Sequence, residues 1–190
     1  IDDLGGMVNT TTEAVIAEIV DNSLDNNSRK IKIEFYGQDW STFSIIVYDD
    51  GSGFRNYDHM KKCFDLSGHN RASGRIGKFN VGLKLSPLSR CKVVIAHSFG
   101  ESGEELFRSL DKDIMKNAQP PTYGSTTTKQ PRHNILNRHI QEKMNQDGWK
   151  TAVCLTSFEK RPEIEDDFTD QSKKKYGTHI ANYLGVIYHD

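Results

Sequence analysis

Cysteine is scarce in this chain. The three thiols, Cys63, Cys91 and Cys154, are odd in number, far apart and in no metal-ligand spacing. That excludes a disulfide scaffold or a zinc module and fits reduced thiols in a cytoplasmic or nuclear protein. An excess of one charge is also missing: 25 Lys and Arg stand against 26 Asp and Glu, a formal net charge of −1. There is no global basic field, so net charge does not point to nucleic acid. No apolar run approaches the roughly 18 residues of a membrane span. No signal peptide precedes the first element, and neither an internal repeat nor a domain-scale linker is present. Hydrophobic residues make up 35% and charged residues 27% of 190 positions, an ordinary globular balance. The expectation is one domain over residues 1–190 with a substantial core, read as a fragment of a larger protein.

What is there begins with AVIAEIVDNSLDN, Ala14 to Asn26. Helical spacing places Glu18, Asn22 and Asp25 at i, i+4 and i+7, on one face, with Ile16, Ile19, Val20 and Leu24 mainly on the others. The Asn22 amide oxygen is a hard neutral ligand suited to Mg²⁺ shared with phosphate oxygens. Glu18, one turn earlier, is placed to act as a general base on water beside that phosphate. Taken alone, this stretch is read more readily as an amphipathic helix with a solvated acidic face.

Further along, residues 1–10 read as a flexible lead-in, and Thr10, Thr11 and Thr12 offer an N-cap for a helix over about 12–26. KIKIEFYG (30–37) and FSIIVYDD (43–50) alternate as a strand hairpin. Residues 56–65 suggest a short helix, 66–78 a loop and 79–88 a helix limited by Pro87. KVVIAHSFG (92–100) and ELFRSLD (105–111) read as strands. A polar excursion over 118–134 precedes a helix over 135–146 stopped by Gly148, and WKTAVCLTSF (149–158) is a strand. Residues 159–175 read as loop, and GTHIANYLGVIY (177–188) as opening with a strand. Helices and strands are partly segregated, which predicts an α+β sandwich: a mixed, mainly antiparallel sheet covered on one face by helices.

Two more elements carry chemistry. In DDGSGF, Asp49 to Phe54, a strand delivers a carboxylate to its end, and Gly51 and Gly53 let the backbone turn away and approach a ligand. An acceptor-only carboxylate there suits an exocyclic amine such as that of adenine, although Asp-Gly is also a common hairpin turn. In GRIGKFNVGLK, Gly74 to Lys84, the residues Gly74, Gly77 and Gly82 lead into a helix whose exposed N–H groups would form an anion site, with Arg75, Lys78 and Lys84 adding charge, although a flexible linker also accounts for the loop taken alone. No Walker lysine-serine pair and no preceding strand occur, so neither a P-loop nor a Rossmann turn is read here. The seven histidines are scattered and read as ordinary surface or partly buried side chains, and Lys173, Lys174 and Lys175 as a solvated face.

In this order the three elements resemble the GHKL ATPase superfamily of gyrase B, the ninety-kilodalton heat-shock chaperone, histidine kinases and MutL. A Gly-Thr pair at Gly177-Thr178 is matched to the family's later strand. AEIVDNSLD, DDGSGF and GLK look closest to the MORC-type branch, and IGKFNVG also resembles the chaperone lid. The resemblance implies a Bergerat-type fold that binds ATP with Mg²⁺. Glu18 would orient water and Asn22 would ligate the metal. Asp49 would bind the adenine amine with Thr178 in support, and Gly53 would make room for the base. Gly77, Lys78, Phe79, Asn80, Val81 and Gly82 would wrap the phosphates, with Asp25 and Asn26 bonding nearby. Asn80 stands where the chaperone has glycine. Glu18 sets the chain apart from the histidine kinases, which lack this glutamate and pass the phosphoryl group to a partner.

By the same resemblance, a lysine from a following domain would complete catalysis, so slow hydrolysis is expected of this chain alone. Lid closure over 66–82 would drive homodimerisation through residues 1–12. The output would be DNA-associated, through domains beyond this chain, or alternatively that of a chaperone-type clamp acting on proteins. No membrane role is expected.

Overall fold

A computed structural model of the chain describes residues 10–64, 86–118, 125–127, 129–159 and 169–187. The first helix, α1 (Thr12–Asp25), starts where expected because the Thr11 hydroxyl accepts the Ala14 N–H at 3.2 Å from extended backbone. It buries Val15, Ile16, Ile19 and Val20 and ends at Asn26, after which Asn27 takes a left-handed φ of 61°. β1 (Ile31–Tyr36) and β2 (Ser44–Asp49) form the expected antiparallel hairpin, with Ile31 opposite Asp49 and Tyr36 opposite Ser44. α2 (Tyr57–Phe64) follows the glycine turn, its first free N–H satisfied by Asn56 Oδ1, which accepts from His59 N at 2.9 Å.

β3 (Cys91–Phe99) and β4 (Glu105–Asp111) form a second antiparallel pair. A short helix that the polar composition of the region concealed, α3 (Lys112–Asn117), continues from β4; Asp111 caps it by accepting from Asp113 N and Ile114 N. α4 (Asn134–Asp147) ends at Gly148, whose φ of 74° is the left-handed stop that the sequence promised. β5 (Thr151–Phe158) is the last described strand.

The sheet order is β1-β2-β5-β3-β4. Every pairing among the described strands is antiparallel. β5, the last of the described strands in sequence, lies at the centre between β2 and β3. Both of its faces are buried, Val153 and Leu155 in one core cluster and Ala152 and Cys154 in the other, which explains its apolar run over 152–155.

Alternation along the strands divides the core. Ile45, Val47, Val94, Ala96, Val153 and Leu155 pack under α1, α2 and the final helix. Ile46, Tyr48, Val93, Ile95 and Cys154 pack on the opposite face against Leu136, Ile140 and Met144 of α4. The helical layer expected on one face is present, and α4 adds cover on the other. His139 of α4 also stacks on Tyr36 at 4.3 Å and contacts Glu34 Oε1 at 2.6 Å, which fastens α4 to β1.

One expectation is overturned. Residues 177–188 were expected to open with a strand, but Asp170–Ile187 is a helix, α5. Its start is a reciprocal cap: the Ser172 N–H donates to Thr169 Oγ1, and the Thr169 N–H donates to Ser172 Oγ. Ser172, Tyr176 and Ile180, spaced by four, are buried among its described residues, and Gly177 sits against the Phe35 ring, where an added Cβ would come within 3.3 Å. The charged run of 159–175 hid the first turn of this helix. The helix expected over 79–88 falls mainly outside the described residues; Pro87–Ser89 forms a 3₁₀ turn.

Candidate functional site

A cavity of about 220 Å³ opens between α1, the end of β2, α2 and β5. Its walls are apolar where Ile19, Phe54 and Val153 meet, and its polar floor is Asp49. Odd positions of β2 face α1, so the first aspartate of the Asp-Asp pair points inward and is only 6% exposed. Its Oδ1 accepts from Gly51 N (2.9 Å) and Ser28 Oγ (3.0 Å), and its Oδ2 from Ser23 Oγ (3.1 Å). Burial raises its pKa, and these three hydrogen bonds pull the other way. Asp50 faces out and accepts the N–H groups of Arg29 and Lys30, closing the loop after α1.

The two glycines of the turn are needed for different reasons. A Cβ on Gly51 would lie 2.4 Å from Ser28 Oγ and 2.8 Å from Asn26 O, so the side chain is excluded by close packing. Gly53 lines the cavity with φ +67°, and a Cβ there would meet Ser98 Oγ at 2.9 Å.

From α1, the residues that reach the cavity are Ile19, Asn22, Ser23 and Asn26. Asn22 donates its amide N–H to the Glu18 carbonyl oxygen at 2.7 Å, which leaves Oδ1 as its free atom among the described residues. Asn26 is tied similarly, through Nδ2 to Asn22 O at 2.7 Å. Glu18 is beside the cavity and does not line it. Its Oε2 is buried without a hydrogen-bond partner among the described residues. Burial raises its pKa above the ordinary 4.5, Asp21 adds to the rise, and the Ser86 hydroxyl opposes it. Asp25 lies on the exposed side of α1 and is not brought to the cavity.

Thr178 is not brought there either. It stands exposed on α5, where its hydroxyl donates to Lys174 O at 3.1 Å. The threonine that does line the cavity is Thr151, the first residue of β5, directly opposite Asp49 in the sheet register. Its Oγ1 is 3.3 Å from Ser98 Oγ, and Ser98 in turn accepts the Phe54 N–H at 3.2 Å. Sequence reasoning also missed Ser23, which ties α1 to Asp49, and His59 and Cys63, which stand one helical turn apart on α2 and line the cavity together. The i, i+4 spacing of His59 and Cys63 is the one signal that could have paired them. Gly74, Gly77, Lys78, Phe79, Asn80, Val81, Gly82 and Lys84 lie outside the described residues.

The arrangement offers a desolvated acceptor at the floor, apolar walls for a flat ring, and amide oxygens at the α1 side. The family model described as "Histidine kinase-, DNA gyrase B-, and HSP90-like ATPase" matches residues 10–145, well over half of the chain and every cavity element except β5. No curated protein matches the chain. With the α+β antiparallel fold and the cavity under α1, the match establishes that the chain belongs to the family of histidine kinase-, DNA gyrase B- and HSP90-like ATPases.

Proposed function

We propose that this domain binds ATP with Mg²⁺ in the α1–β5 cavity and hydrolyses it slowly. The observation that carries the reading is Asp49, a buried acceptor-only group at the floor of an apolar-walled cavity. Its carboxylate takes the exocyclic amine of adenine, with Thr151 in the supporting place that the sequence had assigned to Thr178. Gly53 leaves room for the base because nothing larger fits its backbone and surroundings.

Asn22 suits the metal: its Nδ2 is anchored and its Oδ1 is free to ligate. Mg²⁺ would neutralise charge on the phosphates. Glu18 takes a proton from the attacking water at its buried, unpartnered Oε2, and its raised pKa makes it a stronger base than a solvated carboxylate. Residues 66–82 would supply the phosphate lid and residues 1–12 an ATP-dependent dimer contact. Calorimetric titration of ATP and Mg²⁺ into the parent, Asn22→Ala and Asp49→Ala tests the site. Binding lost in Asp49→Ala and made insensitive to Mg²⁺ in Asn22→Ala is expected; no binding by a folded parent and by a longer chain refutes it.

The likeness of AEIVDNSLD and DDGSGF to the MORC-type branch supports a DNA-associated output through neighbouring domains, and IGKFNVG supports a chaperone-type clamp as the second reading. Addition of DNA to the intact protein is expected to change its ATPase rate. No rate change and no binding at low salt would favour the second reading.

A further inference from the structure

Ser125, in the excursion after α3, has no part in the nucleotide reading, yet it lies against a buried arginine. Arg108 of β4 shares a face with Leu106 and Leu110, toward α2, and is 4% exposed. A guanidinium this deep is normally paired with a carboxylate, since an unpaired buried cation is costly. Arg108 makes no ion pair among the described residues. Its Nη1 donates to Ser125 O at 3.1 Å and Ser125 Oγ at 3.0 Å, and the Tyr57 ring lies 4.5 Å from its central carbon. Its Nε is buried with no hydrogen-bond partner among the described residues.

We propose that Ser125 is a phosphorylation site and that Arg108 is the receptor built for its phosphate. A serine/threonine protein kinase would transfer the γ-phosphoryl group of ATP to Ser125 Oγ. The Oγ–P bond forms as the bond to the β,γ-bridging oxygen breaks, ADP leaves, and the hydroxyl proton passes to the kinase's base. The phosphate then meets the Nη1–Nη2 end of the guanidinium, where Oγ already stands. Its charge of about −1.5 to −2 supplies the counter-ion that the buried arginine lacks.

The segment suits the modification. The Ser109–Thr126 backbone pair, at 2.9 and 2.8 Å, sets Ser125 beside Arg108 along β4, an edge strand of the described sheet. Ser125 is also singled out from its neighbours: Thr126 is the bridged residue and Thr127 is exposed, while Ser125 Oγ is the hydroxyl in contact with Nη1. This inference does not depend on nucleotide binding in the cavity.

The test is to incorporate phosphoserine genetically at position 125 of the full chain, with phosphoserine at the exposed position 127 as comparator, and to follow each phosphate by phosphorus NMR against pH. At 125 the second phosphate pKa is expected to fall by about a unit from its free value near 6, and the thermal midpoint to rise. Phosphoserine at 127 should do neither. Arg108→Gln should return the pKa at 125 to the free value; if that variant does not fold, Arg108→Lys, which keeps the charge without the fork, should return it in part. A phosphate at 125 that titrates like the one at 127, or that lowers the thermal midpoint, overturns the proposal.

Discussion

Replacement of Asp49 by asparagine separates the ligand contact proposed for it from its service to the fold. The side chain accepts three hydrogen bonds, from Gly51 N, Ser28 Oγ and Ser23 Oγ. In Asp49→Asn the carbonyl oxygen keeps the first two. The new amide donates to Ser23 Oγ, whose own proton goes to Ile19 O, already 3.1 Å away. No donor is orphaned and a desolvated charge is removed, so the stability at neutral pH should stay within about 1 kcal/mol of the parent. Adenine, by contrast, would now present an amine to an amine. A hydrogen bond to a charged acceptor contributes about 1.5–3 kcal/mol, so ATP affinity should fall by about 10- to 150-fold. The pH dependence carries the same information. Because burial raises the folded pKa of Asp49 above its ordinary 3.8, its contribution to stability is fully present below 3.8 and is lost as pH rises through the raised value. The asparagine variant should lack that loss, leaving the smaller one of the same sign from Glu18, whose ordinary value is 4.5. Calorimetric titration gives the affinity, and urea unfolding over a pH series gives the stability. A folded variant that binds ATP within about threefold of the parent would refute the role in recognition, and a loss beyond about 3 kcal/mol would make Asp49 a structural group instead.

Three further outcomes are expected. Gly53→Ala should cost about 2–4 kcal/mol in urea unfolding, from its φ of +67° together with Ser98 Oγ at 2.9 Å, whereas Gly148→Ala, at +74° with nothing within 4 Å, should cost only the conformational part, about 1–2 kcal/mol; equal costs would contradict the packing. Glu18→Gln should retain ATP binding and lose roughly 10²-fold or more in single-turnover hydrolysis, and the acid limb of the parent's rate profile should lie above 4.5; an unchanged rate would remove Glu18 as base. Thr151→Val should weaken ATP binding while Thr178→Val leaves it unchanged, and the reverse result would restore the Gly-Thr pair of α5 to the site.

The parts of the site that were legible in the sequence are those whose geometry is local. The 3.6-residue period of α1 placed Asn22 toward the cavity, and the alternation of β2 delivered Asp49 to a strand end beside glycines. Register across the sheet has no such local trace. Thr151 faces Asp49 because β5 crosses the molecule to pair with β2, a partnership over about a hundred residues that no short motif records. Ser23 was hidden for a related reason: within α1 it reads as one more polar helix residue, and only the Ser23–Asp49 hydrogen bond shows that it joins two elements.

The helix that replaces the strand expected at Gly177-Thr178 has a specific physical origin. A Gly-Thr pair followed by β-branched and aromatic residues satisfies a strand template, but the burial of Tyr176 and Ile180 four residues apart shows that the period is helical. Gly177 looked like a turn and is instead a point of close packing beneath Phe35, a helix position where the missing side chain brings α5 onto β1. The same helix reaches α1: the Tyr176 hydroxyl donates to Glu13 Oε1 at 3.1 Å, and Glu13 stands in the first turn of the helix that carries Glu18 and Asn22. The stretch expected to touch the ligand thus acts on the site at one remove, by holding the start of α1.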